Sequence, residues 1–211
     1  MHRAKMLRGL YAVTPDGADG ARLLRLVERA LEGGTRLLQY RNKSAAPAQR
    51  LAEARALMAL AARHDAKLIV NDDLALALEV KAHGLHLGRE DGELAAARTS
   101  FPGLLGASCY DSLDLARRAA AGGADYIAFG SVFASSTKPG AIRAPLPLFE
   151  SARALGLPMV AIGGITLANA PQLVAAGADC LAVISSLFDA PDVAATARAF
   201  NQLYAKETAL R

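Results

Sequence analysis

A chain of 211 residues, 53% of them hydrophobic and 21% charged, can bury about 70% of its unfolded surface in one core, which excludes a disordered segment and fits one domain over residues 1–211. The 24 Lys and Arg against 20 Asp and Glu leave a formal +4, but the signs are interspersed without a basic run or interleaved aromatics, so no nucleic-acid partner is expected. No apolar stretch approaches the ~20 residues of a membrane span, no export signal pattern opens the chain, and Cys109 and Cys180 read as reduced thiols, so the expectation is a cytoplasmic protein with no membrane partner.

The first apolar run, 7–13, precedes an amphipathic segment in which Leu23, Val27, Ala30 and Leu31 share a face between Asp19, a candidate N-cap, and Gly33-Gly34. The second run, 37–40, leads into Gln39-Tyr40-Arg41-Asn42-Lys43, and the strand period of two sends Gln39, Arg41 and Lys43 to one side. A guanidinium fork and a point charge together suit phosphate oxygens, although a solvated strand end reads equally well. The next helix places Leu51, Ala54, Met58 and Ala61 on its apolar face, with Gln49, Glu53 and Arg63 available to water.

The third run, 68–71, stops at Asn71-Asp72-Asp73, and the fourth, 84–87, leads to Gly88-Arg89-Glu90-Asp91. If the two strands are neighbours, Asp72 and Asp91 can share one hard cation; Mg²⁺ takes one or two carboxylates together with substrate phosphates and water. Read singly, each aspartate is better explained as a helix cap, Asp72 for a helix over 74–78 and Glu90 or Asp91 for the one after. The cations one loop away favour the metal.

The fifth run, 104–108, carries Ser108, a possible anion donor or an ordinary turn residue. The sixth, 126–129, opens into a long loop containing Ser135, Ser136, Thr137 and Lys138, poor material for a core and well equipped to hold an anion. The seventh, 158–162, ends on Gly163-Gly164, and the eighth, 180–184, on Ser185-Ser186.

One unit recurs through this series: a helix, a glycine stop and an apolar run. It reads Glu32-Gly33-Gly34 before the second run, Ala121-Gly122-Gly123-Ala124-Asp125 before the sixth and Ala176-Gly177-Ala178-Asp179 before the eighth, with a weaker copy, Lys81-Ala82-His83-Gly84, at the fourth. Eight continuous apolar runs with helices between them predict an α/β protein, a single (β/α)8 TIM barrel, with a doubly wound open sheet as the alternative. In such a barrel the loops after strands seven and eight form a phosphate cradle of backbone donors, whereas strands two to four here carry cations and carboxylates. Two anion sites around one mouth point to an enzyme that joins two phosphorylated small molecules and expels diphosphate.

The ordered segments Gln39-x-Arg41-x-Lys43, Ile69-Val70-Asn71-Asp72, His86-Leu87-Gly88-x-x-Asp91, Gly106-x-Ser108, Asp125-Tyr126-Ile127-x-Phe129-Gly130, Thr137-Lys138 and Ala161-Ile162-Gly163-Gly164-Ile165 resemble those of the thiamine-phosphate synthase family. The resemblance covers nearly the whole chain, from Leu10-Tyr11-Ala12-Val13-Thr14 to Val183-Ile184-Ser185. It implies a Mg²⁺-dependent transferase that couples 4-amino-5-hydroxymethyl-2-methylpyrimidine diphosphate to 4-methyl-5-(2-phosphoethyl)thiazole, with dissociative loss of diphosphate and formation of thiamine phosphate. It implies further that Gln39, Arg41, Lys43 and Asn71 hold the pyrimidine diphosphate and that Asp72 and Asp91 bind the metal. Ser108 and Lys138 would be the catalytic contacts to the departing diphosphate, while Ser135 and Thr137, with Gly164, Ile184 and Ser185, would hold the thiazole phosphate. Ser136 is counted with that loop.

No general base is required, in keeping with the expectation that no histidine stands at a strand end. The family usually has Glu at the position of Asn42 and Gln at that of Arg89, and a proline and threonines where this chain has Ser131, Ala134 and Ser135, so the resemblance leaves diphosphate affinity open to change. Two rivals share the barrel: a thiazole tautomerase, which would need a proton-shuttling residue and no metal pair, and a non-catalytic barrel that binds thiazole phosphate. Asp72, Asp91 and Lys138 argue for the coupling enzyme. The pattern is compatible with a homo-oligomer and does not specify one.

Overall fold

The computed structural model describes residues 7–88, 94–134 and 143–208. Its strands are β1 (Gly9–Val13), β2 (Leu37–Tyr40), β3 (Lys67–Asn71), β4 (Gly84–Leu87), β5 (Leu104–Tyr110), β6 (Tyr126–Phe129), β7 (Met159–Ile162) and β8 (Cys180–Val183). They run parallel in chain order and close, because β1 pairs with β8 through Leu10 opposite Leu181 and Tyr11 opposite Ala182. Closure removes the open-sheet alternative, and each of the eight apolar runs is a strand.

The helices described are α1 (Gly20–Glu32), α2 (Pro47–Arg63), α3 (Leu74–Glu79), α4 (Leu94–Ser100), α5 (Leu113–Ala121), α6 (Pro147–Ala152), α7 (Ala170–Ala176), the short α8 (Ser185–Phe188) and α9 (Val193–Thr208). Among the described residues no helix is long and apolar enough to cross a membrane. Helix α1 behaves as its period demands: Asp19 caps it by accepting from the Arg22 N–H at 3.0 Å, and Leu23, Val27, Ala30 and Leu31 are its buried face.

Helix α2 departs from expectation. Its buried face is Glu53, Ala54, Leu57, Leu60 and Ala61, so Glu53 lies inside rather than in water. The carboxylate is drawn in by neutral donors. Tyr40 Oη (2.7 Å) and Asn42 Nδ2 (3.1 Å) donate to one oxygen, and Gln49 Nε2 (2.8 Å) donates to the other. A carboxylate so satisfied tolerates burial.

Apolar side chains fill two layers. One lies between sheet and helices; the other, with Tyr11, Val13, Leu37, Ile69, Tyr126, Val160 and Cys180 among its members, fills the barrel. Both cysteines are free and buried, consistent with packing roles.

At the N-terminal ends of the strands the recurring glycine unit acquires a physical meaning. Asp125, just before β6, accepts from the N–H of Leu105, the second residue of β5 (2.8 Å), and Asp179, just before β8, accepts from the Met159 N–H that opens β7 (2.8 Å). In the weaker copy His83 takes the same part, its Nδ1 accepting from Leu68 N–H of β3 at 3.1 Å. In these three copies the unit ties the base of its strand to the strand before it.

Candidate active site

The C-terminal strand ends carry the side chains that the sequence singles out. Gln39 is buried and faces the barrel interior, where its Nε2 donates to Tyr11 Oη at 2.8 Å. Arg41 and Lys43 lie further out on the same side, and both meet Asp16 from the loop after β1. Arg41 Nη1 pairs with one Asp16 oxygen, and Lys43 N–H donates to the other at 2.9 Å. Thr14 adds a second brace, accepting from Arg41 N–H at 2.8 Å and donating to Arg41 O at 2.9 Å. Sequence reasoning misses Asp16, because nothing local marks a loop aspartate as the partner of a segment 25 residues away.

Asn42 points the other way, toward α2 and Glu53. A carboxylate at this position would face the buried Glu53 carboxylate. Asn42 also lines the cleft that opens between the ends of β2 and β3. Arg89 lies outside the described residues.

On β3, the residue that caps α3 is Asp73, accepting from Leu76 N–H at 2.9 Å, not Asp72. Asp72 is thereby released from the capping reading. It adopts a left-handed φ of 64°, and its carboxylate meets Lys43 Nζ at 2.9 Å. A non-glycine residue held at positive φ is uncommon, and such positions cluster at functional sites. Tyr110 at the end of β5 is another, at 52°. A cleft of about 430 Å³ opens beside these residues, between the ends of β2 and β3, lined by Lys43, Asn71, Asp72, Asp73 and Arg50. Arg50, also missed from sequence, reaches it from α2 and pairs with Asp73 at 3.2 Å. Asp91 lies outside the described residues, and among those described no cluster of three or more His, Cys, Asp or Glu is present.

Beneath the mouth a chain of polar groups crosses the barrel. From Gln39 and Tyr11 it continues to Tyr126 (Oη to Oη, 2.8 Å), then to His86 Nδ1 (3.1 Å), and from His86 Nε2 to Ser108 Oγ (2.9 Å). The expectation of no histidine near a strand end is thus corrected. His86 sits on β4, buried and turned inward, in a segment short enough that the sequence alone does not assign its face. Burial lowers its pKa to about 4, against the opposing pull of the Asp72 carboxylate, so the ring is neutral at pH 7. Burial likewise pushes both tyrosines upward. Gly106 makes room for the chain: a Cβ there would lie 2.0 Å from the Tyr126 ring.

On the opposite arc, Gly163 and Gly164 take φ values of 104° and 63°. Their lack of side chains admits the segment after β6, since a Cβ on Gly164 would lie 2.2 Å from Ala134 O, and Phe133 N–H donates to Gly163 O at 3.1 Å. The glycine pair therefore seats a neighbouring loop as well as bending the chain. Ile184 is the N-cap of α8, and Ser185 opens it. Ser135, Ser136, Thr137 and Lys138 lie outside the described residues.

The structure thus brings Gln39, Arg41, Lys43, Asn71, Asp72 and Ser108 to one arc and Gly164, Ile184 and Ser185 to another of the same rim. A family model described as thiamine monophosphate synthase matches residues 10–187. The chain is 57% identical to the thiamine-phosphate synthase of Azoarcus sp. strain BH72, with 94% of this chain and 98% of that protein covered. It is 56% identical to the thiamine-phosphate synthase of Chromobacterium violaceum, with 92% and 94% covered. Among solved structures, thiamine phosphate pyrophosphorylase from Pyrococcus furiosus superposes with a TM-score of 0.84 at 33% identity, covering 94% of this chain and 96% of that one. The strand-end residues, the closed barrel and these likenesses agree, and the chain belongs to the thiamine monophosphate synthase family of enzymes.

Proposed function

We propose that the chain couples 4-amino-5-hydroxymethyl-2-methylpyrimidine diphosphate to 4-methyl-5-(2-phosphoethyl)thiazole, releasing diphosphate and forming thiamine phosphate. The observation that carries this reading is the meeting of Arg41, Lys43 and Asp72 at adjacent strand ends, each cation already beside an aspartate. Bound diphosphate would draw Arg41 and Lys43 from their aspartates, and Asp72 would then be available to hold a divalent ion. The opposite arc, with positive-φ glycines and the first turn of α8, suits a monophosphate held by backbone donors.

The Asp72 carboxylate, not engaged in the helix cap that Asp73 supplies, fits Mg²⁺, which binds through one or two carboxylates and completes its shell with phosphate oxygens and water. Asp72 and Asp91 would hold it, and its chemistry there would be to neutralise charge on the leaving diphosphate. Within the chain, Arg41 and Lys43 grip the diphosphate, and Ser108 and Lys138 donate to its oxygens as negative charge builds on them. The electron-rich aminopyrimidine stabilises the methylene cation left behind, and the barrel holds the thiazole nitrogen in line with it. No residue is required to remove a proton, which suits a His86 engaged at both nitrogens.

The test is direct. The purified chain is mixed with both substrates in Mg²⁺ or in EDTA, and diphosphate and thiamine phosphate are measured. Both products are expected with Mg²⁺ and neither with EDTA; no coupling under Mg²⁺ sinks the reading.

A further inference from the structure

We infer that the polar groups beneath the mouth form a one-way hydrogen-bond chain, Gln39 to Tyr11 to Tyr126 to His86 to Ser108, and that His86 is a positioning residue holding the Ser108 hydroxyl as a donor to the substrate's diphosphate. The ligand assigned to Ser108 rests on the proposed function; the direction of the chain does not.

The direction follows from the first link. Gln39 presents its amide nitrogen, which only donates, so Tyr11 Oη accepts there. Tyr11 is fully enclosed, and its own proton needs an acceptor; the Tyr126 oxygen at 2.8 Å provides it. With that proton received, Tyr126 sends its own to His86 Nδ1 at 3.1 Å. His86 therefore carries its proton on Nε2 and donates it to Ser108 Oγ at 2.9 Å. With its oxygen occupied, Ser108 has one proton left to give, and Ser108 is the half-buried end of the chain, two residues nearer the mouth than Gly106. Run in reverse, the chain would set the Tyr11 proton against the Gln39 amide protons, two donors face to face in a closed interior. It would also turn the Ser108 proton toward His86 and present a lone pair to an incoming anion.

The architecture supports the chain at its narrowest point. His86, Gly106 and Tyr126 are consecutive partners across β4, β5 and β6, and the missing side chain at Gly106 is the space the Tyr126 ring occupies. The rings of His86 and Tyr126 stack at 5.6 Å, and those of Tyr11 and Tyr126 meet edge-on at 6.1 Å, which fixes all three hydroxyl and imidazole positions.

Two measurements on the full chain test this. Long-range ¹H–¹⁵N spectra of histidine-labelled protein, with His86→Gln identifying the signal, should show the Nε2–H tautomer at neutral pH; an Nδ1–H signal overturns the proposal. Calorimetric titration with inorganic diphosphate and Mg²⁺ should show roughly tenfold weaker binding for Ser108→Ala and for Tyr126→Phe, and no further loss when the two are combined. Losses that multiply in the double variant overturn it. If Tyr126→Phe does not fold, Tyr11→Phe breaks the same chain one link earlier and is read in the same cycle. His86→Gln, which keeps a donor near the Nε2 position, should bind within about threefold of the parent, while His86→Leu matches Ser108→Ala. Failure of the parent protein to bind diphosphate defeats the functional reading and the ligand with it; a wrong tautomer defeats the chain alone.

Discussion

Both ends of this barrel are built with aspartates, and they differ in how exchangeable their partners are. At the base, Asp125 and Asp179 accept from backbone N–H groups of neighbouring strands, and Asp125 also holds the half-buried Arg98 guanidinium at 2.8 Å. At the mouth, Asp16 and Asp72 meet the side chains of Arg41 and Lys43. A backbone donor enclosed at a strand end has no other partner within reach, so its loss is felt in full. A lysine with 59% of its side chain exposed exchanges a carboxylate for a phosphate or for water at little cost. The base therefore holds the fold, while the mouth holds charges in exchangeable pairs.

The sharpest way to break this division is Asp72→Asn. Removing a carboxylate proposed to hold the Mg²⁺ that neutralises the leaving diphosphate should cut turnover by roughly 10²–10³-fold, with a melting temperature close to the parent's, as diphosphate release and calorimetry would record. Near-normal turnover would take Asp72 out of the mechanism. His86 lies between the two ends, and its effect should appear as pH dependence. Its pKa falls from 6.5 unfolded to about 4 folded, so the unfolded chain binds the extra proton. The stability from keeping the ring neutral is complete above pH 6.5 and is lost as pH falls toward 4, a difference of about 3 kcal/mol that denaturant titrations of parent and His86→Gln should separate.

At the base, Asp125→Ala should cost about 2 kcal/mol of stability and leave the turnover of folded protein unchanged; a large loss of turnover at unchanged stability would erase the contrast between the ends. The smallest effect is expected for Asp16→Asn. Its Oδ1 still accepts from the Lys43 N–H while Arg41 loses a competing charge, so diphosphate should bind roughly threefold tighter at low salt, with the gain shrinking as salt is added. Weaker binding would make Asp16 a brace rather than a competitor.

Much of the barrel is legible in the sequence alone. Strands buried on both faces are continuous apolar runs, and the helix at Leu23, Val27, Ala30 and Leu31 shows its period openly. The strand-end positions of Gln39, Arg41, Lys43, Asn71, Asp72 and Ser108 follow from those runs. Less legible are side chains whose roles depend on a partner distant in sequence. Glu53 reads as a water-facing helix residue, and only the packing of Tyr40 and Asn42 against it explains its burial. Asp72 reads as a cap, a role that the fold gives to Asp73. The glycine pair 163–164 reads as room for a ligand's approach, and it also seats the segment after β6.

The sequence by itself determined the number and order of the strands, their burial and the kinds of charge at their ends, because hydrophobic period and glycine stops are properties of short segments. Only the tertiary structure decided that β1 meets β8, that Asp16 faces Arg41, and that Gln39, Tyr11, Tyr126, His86 and Ser108 touch in one line. Closing the sheet points inward-facing residues of five strands at a common axis, and no local pattern in a strand of four to seven residues records what waits on the other side.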